Sequence, residues 1–344
     1  KGDMKREVVG TGPFKFKQYI GGVSFELERN PDYHLKGRPF LDGMVWYIVK
    51  DASAQYAAIR TGQVKIELPI NHAVSRSQQE TLKKEIAGIQ LQYVPTGVSA
   101  TFLMNNGKAP FNDGRVRRAV SLVTDRQAAM EVIMQGLGEP VAYITGREFR
   151  FPREELLRLP GFRQPKDQDI AEAKRLMVEA GFPKGFKTSI ISRNTKEQMD
   201  IGVFMSGALA KLGIEASVEP LESGIQFERF TKGAYEAGSY RGLTPDNPDL
   251  SYAEWLITGS GRGWLRYSNP KVDELFQKQR IATDPTERKK MVHEMERIVL
   301  EEVPVMNLYE IVDAAIIWPE VRGYKQRGSA FISPLQWQDV WLAK

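Results

Sequence analysis

The chain has 344 residues, with 48 Lys and Arg against 43 Asp and Glu, and no cysteine. Its 42% hydrophobic and 26% charged fractions exclude a disordered or collagen-like polymer, and the missing thiols exclude disulfide frameworks, cysteine nucleophiles and thiolate metal sites. A net charge of +5 over this length argues against a nucleic-acid partner, no apolar run approaches the roughly 18–20 residues of a membrane helix, and the length suggests roughly two domains.

Lys1 to Arg6 is charged and has no apolar core of a secretion signal, which leaves open a cytosolic protein or an internal piece of a longer chain. Residues 8–50 read as β structure. Gly10-Thr11-Gly12-Pro13 is turn chemistry, Phe14, Phe16, Phe25 and Leu27 recur at strand spacing around Gly21-Gly22, and Met44 to Val49 is a buried-strand run. Ser53 to Arg60 predicts a short helix stopped by Gly62, and residues 89–104 predict another strand.

From Asp113 the period becomes helical. Asp113 and Asp125 stand as caps before the series Val116, Val120, Val123 and Met130, Ile133, Met134, and Asp167 is expected to cap a helix carrying Ile170, Ala173, Leu176 and Met177. Strand 187–192, a helix near 196–212 and strand 214–219 then form a β-α-β unit with a right-handed crossover. Residues 236–268, rich in Gly, Ser, Pro, Asp and aromatics, read as a long irregular segment of the kind that carries function. Asn269-Pro270 and Asp284-Pro285-Thr286-Glu287 start two further helices, and residues 303–317 return to strand.

Chemical motifs are scarce. The three histidines, His34, His72 and His293, have no partner ligands at helix or hairpin spacing, so no metal site is expected. Gly181 to Thr188 has the wrong glycine spacing for a phosphate loop and precedes a strand. Ser268-Asn-Pro-Lys271 lacks the companion motifs of a serine acylase, and Glu301-Glu302 are adjacent on a helix and point apart. No catalytic constellation and no cofactor motif emerges.

Several segments in order resemble extracellular solute-binding protein family 5, the peptide, nickel and glycoside receptors of ABC importers. They are Gly10-Thr11-Gly12-Pro13-Phe14; Phe25-Glu-Leu27-Glu-Arg29-Asn30-Pro31-Asp32-Tyr33; Ala57 to Val64; Pro110 to Ala119; Ala171 to Leu176 with Ala180-Gly181-Phe182; and Tyr267-Ser268-Asn269-Pro270-Lys-Val272-Asp273. The resemblance implies an α/β, type II periplasmic-binding-protein-like fold, two mixed-sheet lobes joined by two crossover strands. It implies the later half of lobe one at 1–98, lobe three at 99–308 and a return to lobe one at 309–344. Family members carry a signal segment and a second lobe before the Gly-Thr-Gly-Pro motif, so the chain is expected to be the C-terminal part of a receptor.

The implied function is capture of a small solute, an oligopeptide first, between the two lobes and its delivery to an ABC permease in the inner membrane. The receptor is expected to be a monomer without cofactor or metal, periplasmic or extracytoplasmic, held at the membrane through the importer, and not an enzyme. In peptide-binding members an aspartate of the irregular loop in lobe three pairs with the ligand's α-ammonium group, and Asp246 matches it; a turn residue after Pro245 is the plain alternative. Tyr240 and Arg241 stand near the position of those receptors' tryptophan. Arg241 is a candidate for a ligand carboxylate, Trp264 for a stacking wall, and Asn105 and Tyr309 for the crossover strands at the cleft. A receptor for a sugar, opine or nickel chelate, or a hydrolase built on a carboxylate pair, remain the alternatives.

Overall fold

The computed structural model describes residues 10–68, 74–143, 146, 148–243, 247–326 and 336–343. The chain divides into two compact units, Lys1–Thr96 with Val312–Lys344, and Gly97–Ile311. Both divisions fall inside strands, so the backbone passes from one unit to the other twice.

The first unit opens with an antiparallel sheet of β1 (Phe14–Ile20), β2 (Ser24–Arg29) and β3 (Gly43–Tyr47), in that order. Gly22 takes a φ of +71° at the β1–β2 turn, a conformation that costs other residues about 1–2 kcal/mol. Helix α1 (Ala52–Arg60) starts where Asp51 accepts the Ala54 N–H at 2.8 Å. After β4 (Ile66–Glu67), helix α2 (Arg76–Glu85) is launched by a reciprocal capping box of Ser75 and Gln78. Sequence reading did not find α2, because its apolar stripe is thin; only Gln79 and Leu82 are buried.

Strand β5 (Gln90–Met104) leads into the second unit. There α3 (Gly114–Val123) and α4 (Arg126–Met134) begin at Asp113 and Asp125, whose carboxylates accept the N–H of Arg115 and Ala128. The short β6 (Gly138–Glu139) and α5 (Arg153–Leu156) precede α6 (Asp167–Glu179). Asp167 does not cap α6: the cap residue is Lys166, without a side-chain cap bond. The start of α6 is instead fixed by an ion pair, Lys166 Nζ lying 2.7 Å from the fully buried Asp169, which also takes Arg163 at 2.6 Å. Then follow β7 (Lys187–Arg193), α7 (Lys196–Ala210), β8 (Glu215–Leu221) and α8 (Ser223–Lys232).

The segment expected to be irregular contains β9 (Ala237–Leu243) and α9 (Pro248–Trp255). The sequence of β9, AGSYRGL, hides it, because its glycines and serine lack β propensity. Packing demands them: a Cβ at Gly238 would sit 2.7 Å from the Phe230 ring. Helices α10 (Pro270–Ile281) and α11 (Pro285–Glu302) start at Asn269 and Asp284, each accepting two backbone N–H groups, and β10 (Val305–Ile317) returns to the first unit. There β10 pairs with β4, and β11 (Val321–Arg322) with β12 (Trp341–Leu342), beside a single 3-10 turn at Trp337–Asp339.

The long sheet has the order β4-β10-β5-β9-β7-β8. β5 and β9 are antiparallel, whereas β7 is parallel to both β8 and β9. Alternation along the strands sorts two cores in the second unit. Phe102 and Ile190 pack with Val116, Ile201, Met205 and Leu308 on the α7 side. Leu103 and Ile191 pack with Phe230, Tyr252, Trp255 and Trp264 on the α8 side. Arg126 is enclosed between elements, donating to the carbonyls of Asn307, Ser121 and Gly161; burial pulls its pKa down to about 10, so it remains a structural cation at neutral pH.

Candidate functional site

In a parallel α/β arrangement ligands meet the carboxyl ends of the strands, where helix N-termini present free N–H groups. In the second unit that end is formed by the last residues of β7 and β9 and the first turn of α7. Several polar side-chain atoms there are buried, an expensive arrangement unless something pairs with them.

Arg193 is the last residue of β7, and its guanidinium lies 5.5 Å from the centre of the Phe227 ring, while its Nε is buried without a hydrogen-bond partner among the described residues. Two residues on, Thr195 occupies the N-cap of α7 but makes no side-chain cap bond. Glu197, in the first turn, pairs with Arg241 of β9 at 3.2 Å. Next to it Gln198 is 1% exposed, and its side-chain oxygen has no partner among the described residues. Tyr309 comes in from β10, fully buried, with its hydroxyl likewise unpartnered among the described residues. Burial first, and then the field of Glu197, hold the Tyr309 phenol well above its usual pKa, against the pull of Arg241. It is therefore a neutral donor at any physiological pH.

The structure thus brings Arg241 and Tyr309 of the sequence candidates together around Glu197, which sequence reasoning missed; it missed Gln198 too, the next residue of α7, and Arg193, which lies against Phe227 on the Tyr240 side of the sheet. The available signal was the β-α-β order itself, since the residues between strand 187–192 and the following helix had to lie at a carboxyl end. Asp246 follows β9 in the chain but lies outside the described residues. Tyr240 faces the opposite side of β9 from Arg241 and is 7% exposed, its ring packed against Phe227, Phe230, Trp255 and Trp264. Trp264 is stacked on Phe230 at 4.9 Å, lies under the Arg262 guanidinium at 4.7 Å and donates its N–H to Thr231. These are the surroundings of a core aromatic. Asn105 is spent on the backbone: its amide donates to the carbonyls of Gly233 and Tyr235, and its oxygen accepts the Gly107 N–H. The side-chain hydrogen bonds of Trp264 and Asn105 run to Thr231 and to the backbone of Gly233, Tyr235 and Gly107.

The histidines play plain parts. His34 packs on Tyr33, and His293 holds its Nε2 3.0 Å from the Phe149 carbonyl, while His72 lies outside the described residues. Among the described residues no group of three or more His, Asp or Glu is placed to hold a metal ion, and no helix is long and apolar enough to cross a membrane.

Comparison with known proteins bears on the fold and the family. The chain is 25% identical to the glutathione-binding protein GsiB of Salmonella paratyphi A over 313 residues, covering 88% of this chain and 59% of GsiB. It is 25% identical to the oligopeptide-binding protein AppA of Bacillus subtilis over 367 residues, covering 99% of this chain and 63% of AppA. The chain therefore spans about three fifths of the length of these curated relatives. Among solved structures, the periplasmic binding protein DppA of Helicobacter pylori, in complex with the peptide STSA, superposes with a TM-score of 0.79 at 24% identity, covering 98% of this chain and 64% of that one. The fold is that of the periplasmic binding proteins. The profile of bacterial extracellular solute-binding proteins, family 5 Middle, matches residues 1–264, and the chain belongs to that family.

Proposed function

We propose that this chain is the larger part of a solute receptor of an ABC importer, which captures peptides and passes them unaltered to a membrane permease. The reading assigns residues 99–308 to lobe three and 1–98 with 309–344 to lobe one, and places the monomeric receptor outside the cytoplasm, at the membrane through its importer. The observation that carries it is the set of buried polar atoms at the carboxyl ends of β7 and β9. Arg193 Nε, Gln198 Oε1 and the Tyr309 hydroxyl have no partner among the described residues, and each such group costs about 1–3 kcal/mol when left unmet. A peptide supplies the matching groups, a carboxylate for an arginine and amides for Gln198 and Tyr309. Arg241 orients Glu197, and Asp246 receives the ligand's α-ammonium group.

Calorimetry on the full-length protein with a panel of free and N-acetylated peptides, glutathione included, tests this. The expected result is saturable binding that Asp246→Ala weakens by about 2–5 kcal/mol for free-amine peptides. An acetylated peptide bound as tightly as the free one removes the role of Asp246. No binding of any peptide, or hydrolysis of one, removes the proposed function.

A further inference from the structure

Within the second unit lies a cavity of about 210 Å3 that the reading above does not use. Two segments wall it, residues 139–142 at the end of β6 and residues 150–156 running through α5. Val141, Ala142, Phe151 and Leu156 give it an apolar wall, each at most 7% exposed. Glu139, Arg150 and Arg153 give it a charged one.

The charged wall follows from the pairing of β6 with β10. Glu139 stands directly opposite Glu310 in that antiparallel pair, and like charges so placed repel. Arg150 resolves the conflict. Its guanidinium lies 3.0 Å from one Glu139 oxygen and also bonds Glu310, which accepts the Gly97 N–H at 3.0 Å. Arg150 is spent on that pair, but two groups on the same cavity are not. Glu139 keeps its second carboxylate oxygen, and the Arg153 guanidinium makes no hydrogen bond or ion pair, among the described residues. Glu310 follows Tyr309 in β10, and alternation turns the two side chains to opposite faces of the strand. The charge cluster therefore lies on the other face of β10 from Tyr309.

We propose that this cavity binds a single free amino acid with an apolar side chain, its α-carboxylate on Arg153, its α-ammonium group on Glu139 and its side chain against Phe151 and Leu156. Size favours one residue over a chain: 210 Å3 is the room of about seven waters of the liquid, at about 30 Å3 each. The signs of charge select the guest. A phosphate or dicarboxylate suits Arg153 but meets the Glu139 carboxylate on the same wall, and an amine alone leaves Arg153 unmet. A zwitterion answers both, through charge-assisted hydrogen bonds about twice as strong as neutral ones. An aliphatic side chain covered by Val141, Ala142, Phe151 and Leu156 leaves water, which adds a non-directional driving force to the two polar anchors. The site is independent of the peptide reading, because none of these residues belongs to the cluster around Glu197.

Titration of the full-length protein with L-leucine, followed by calorimetry and methyl NMR, tests this. Saturable binding is expected, with shifts at the methyl groups of Val141, Ala142 and Leu156, and it is expected to persist in an excess of the tetrapeptide STSA. Arg153 is exposed, so Arg153→Ala spares the core, and it is expected to weaken leucine binding about tenfold or more. Leucinamide, which lacks the carboxylate, is expected to bind the original protein about tenfold more weakly than leucine and to bind Arg153→Ala as well as leucine does. No saturable binding up to about 10 mM leucine overturns the proposal. So does an affinity that Arg153→Ala leaves unchanged, or displacement of leucine by STSA, which assigns the amino acid to the peptide site.

Discussion

Replacing Tyr309 by phenylalanine separates a ligand-facing hydroxyl from a merely packed one, because the two roles predict opposite signs. The ring is fully buried and keeps its packing in Tyr309→Phe; only the hydroxyl, unpartnered among the described residues, is lost. Without ligand, removing an unmet buried hydroxyl relieves about 1–3 kcal/mol of desolvation. For a unit of this size that corresponds to a rise of about 3–9 °C in Tm. With ligand, the same change deletes one hydrogen bond, so affinity falls by about 1–2 kcal/mol, roughly five- to thirtyfold. The assay is differential scanning calorimetry of the full-length protein, with titration of glutathione and of the tetrapeptide STSA. A stabilised apo protein that binds less tightly is the expected pair of results. A destabilised apo variant shows that the hydroxyl is already bonded in the resting protein. Unchanged affinity shows that no ligand reaches it. Either result refutes the reasoning that joins orphaned polar atoms to a binding role.

Glu310 is expected to make the protein less stable as pH rises. It is 1% exposed, and burial outweighs the pull of Arg150 and the Gly97 N–H to raise its pKa from 4.5 to about 7. The folded state therefore holds the proton more tightly than the unfolded one, so this contribution is complete below about pH 4.5 and is lost as pH rises through 7, by at most about 3 kcal/mol. Urea unfolding between pH 5 and 8 should show that slope, and Glu310→Gln should flatten it; a slope that the variant leaves unchanged contradicts the assignment. Gly185→Ala is expected to cost about 4 kcal/mol or to prevent folding, because at φ +75° the new Cβ would lie 2.0 Å from the Gly213 carbonyl oxygen. Gly181→Ala, at φ +86° with nothing within 4 Å, should cost only the left-handed penalty of about 1–2 kcal/mol, and equal losses in thermal unfolding contradict the contact.

Local chemistry was legible in the chain and tertiary chemistry was not. Asp113, Asp125, Asn269 and Asp284 announce helix starts because a short polar side chain meets the first N–H groups wherever the helix happens to lie. The β7-α7-β8 unit shows itself for the same reason, through apolar periods that change from two to 3.6 and back. Strand β9 was hidden, since a glycine chosen for the closeness of Phe230 carries no local sign of being a strand. Helix α6 was assigned the wrong cap because the Lys166–Asp169 pair depends on the surrounding burial.

The candidate site divides along the same line. Arg241 and Tyr309 are far apart in sequence and meet around Glu197 only because β9, β10 and α7 are neighbours in one unit. Tyr240 and Trp264 looked like binding aromatics until alternation along β9 and the Phe230 stack placed them in a core. By itself the sequence determined the family, most of the helix starts and turns, and the order of those strands and helices that carry a strong apolar period, because these rest on neighbours a few residues apart. Only the tertiary structure decided which polar side chains are buried together at one strand end and which aromatics are packed away, because burial and pairing are set by residues that the chain alone does not bring near.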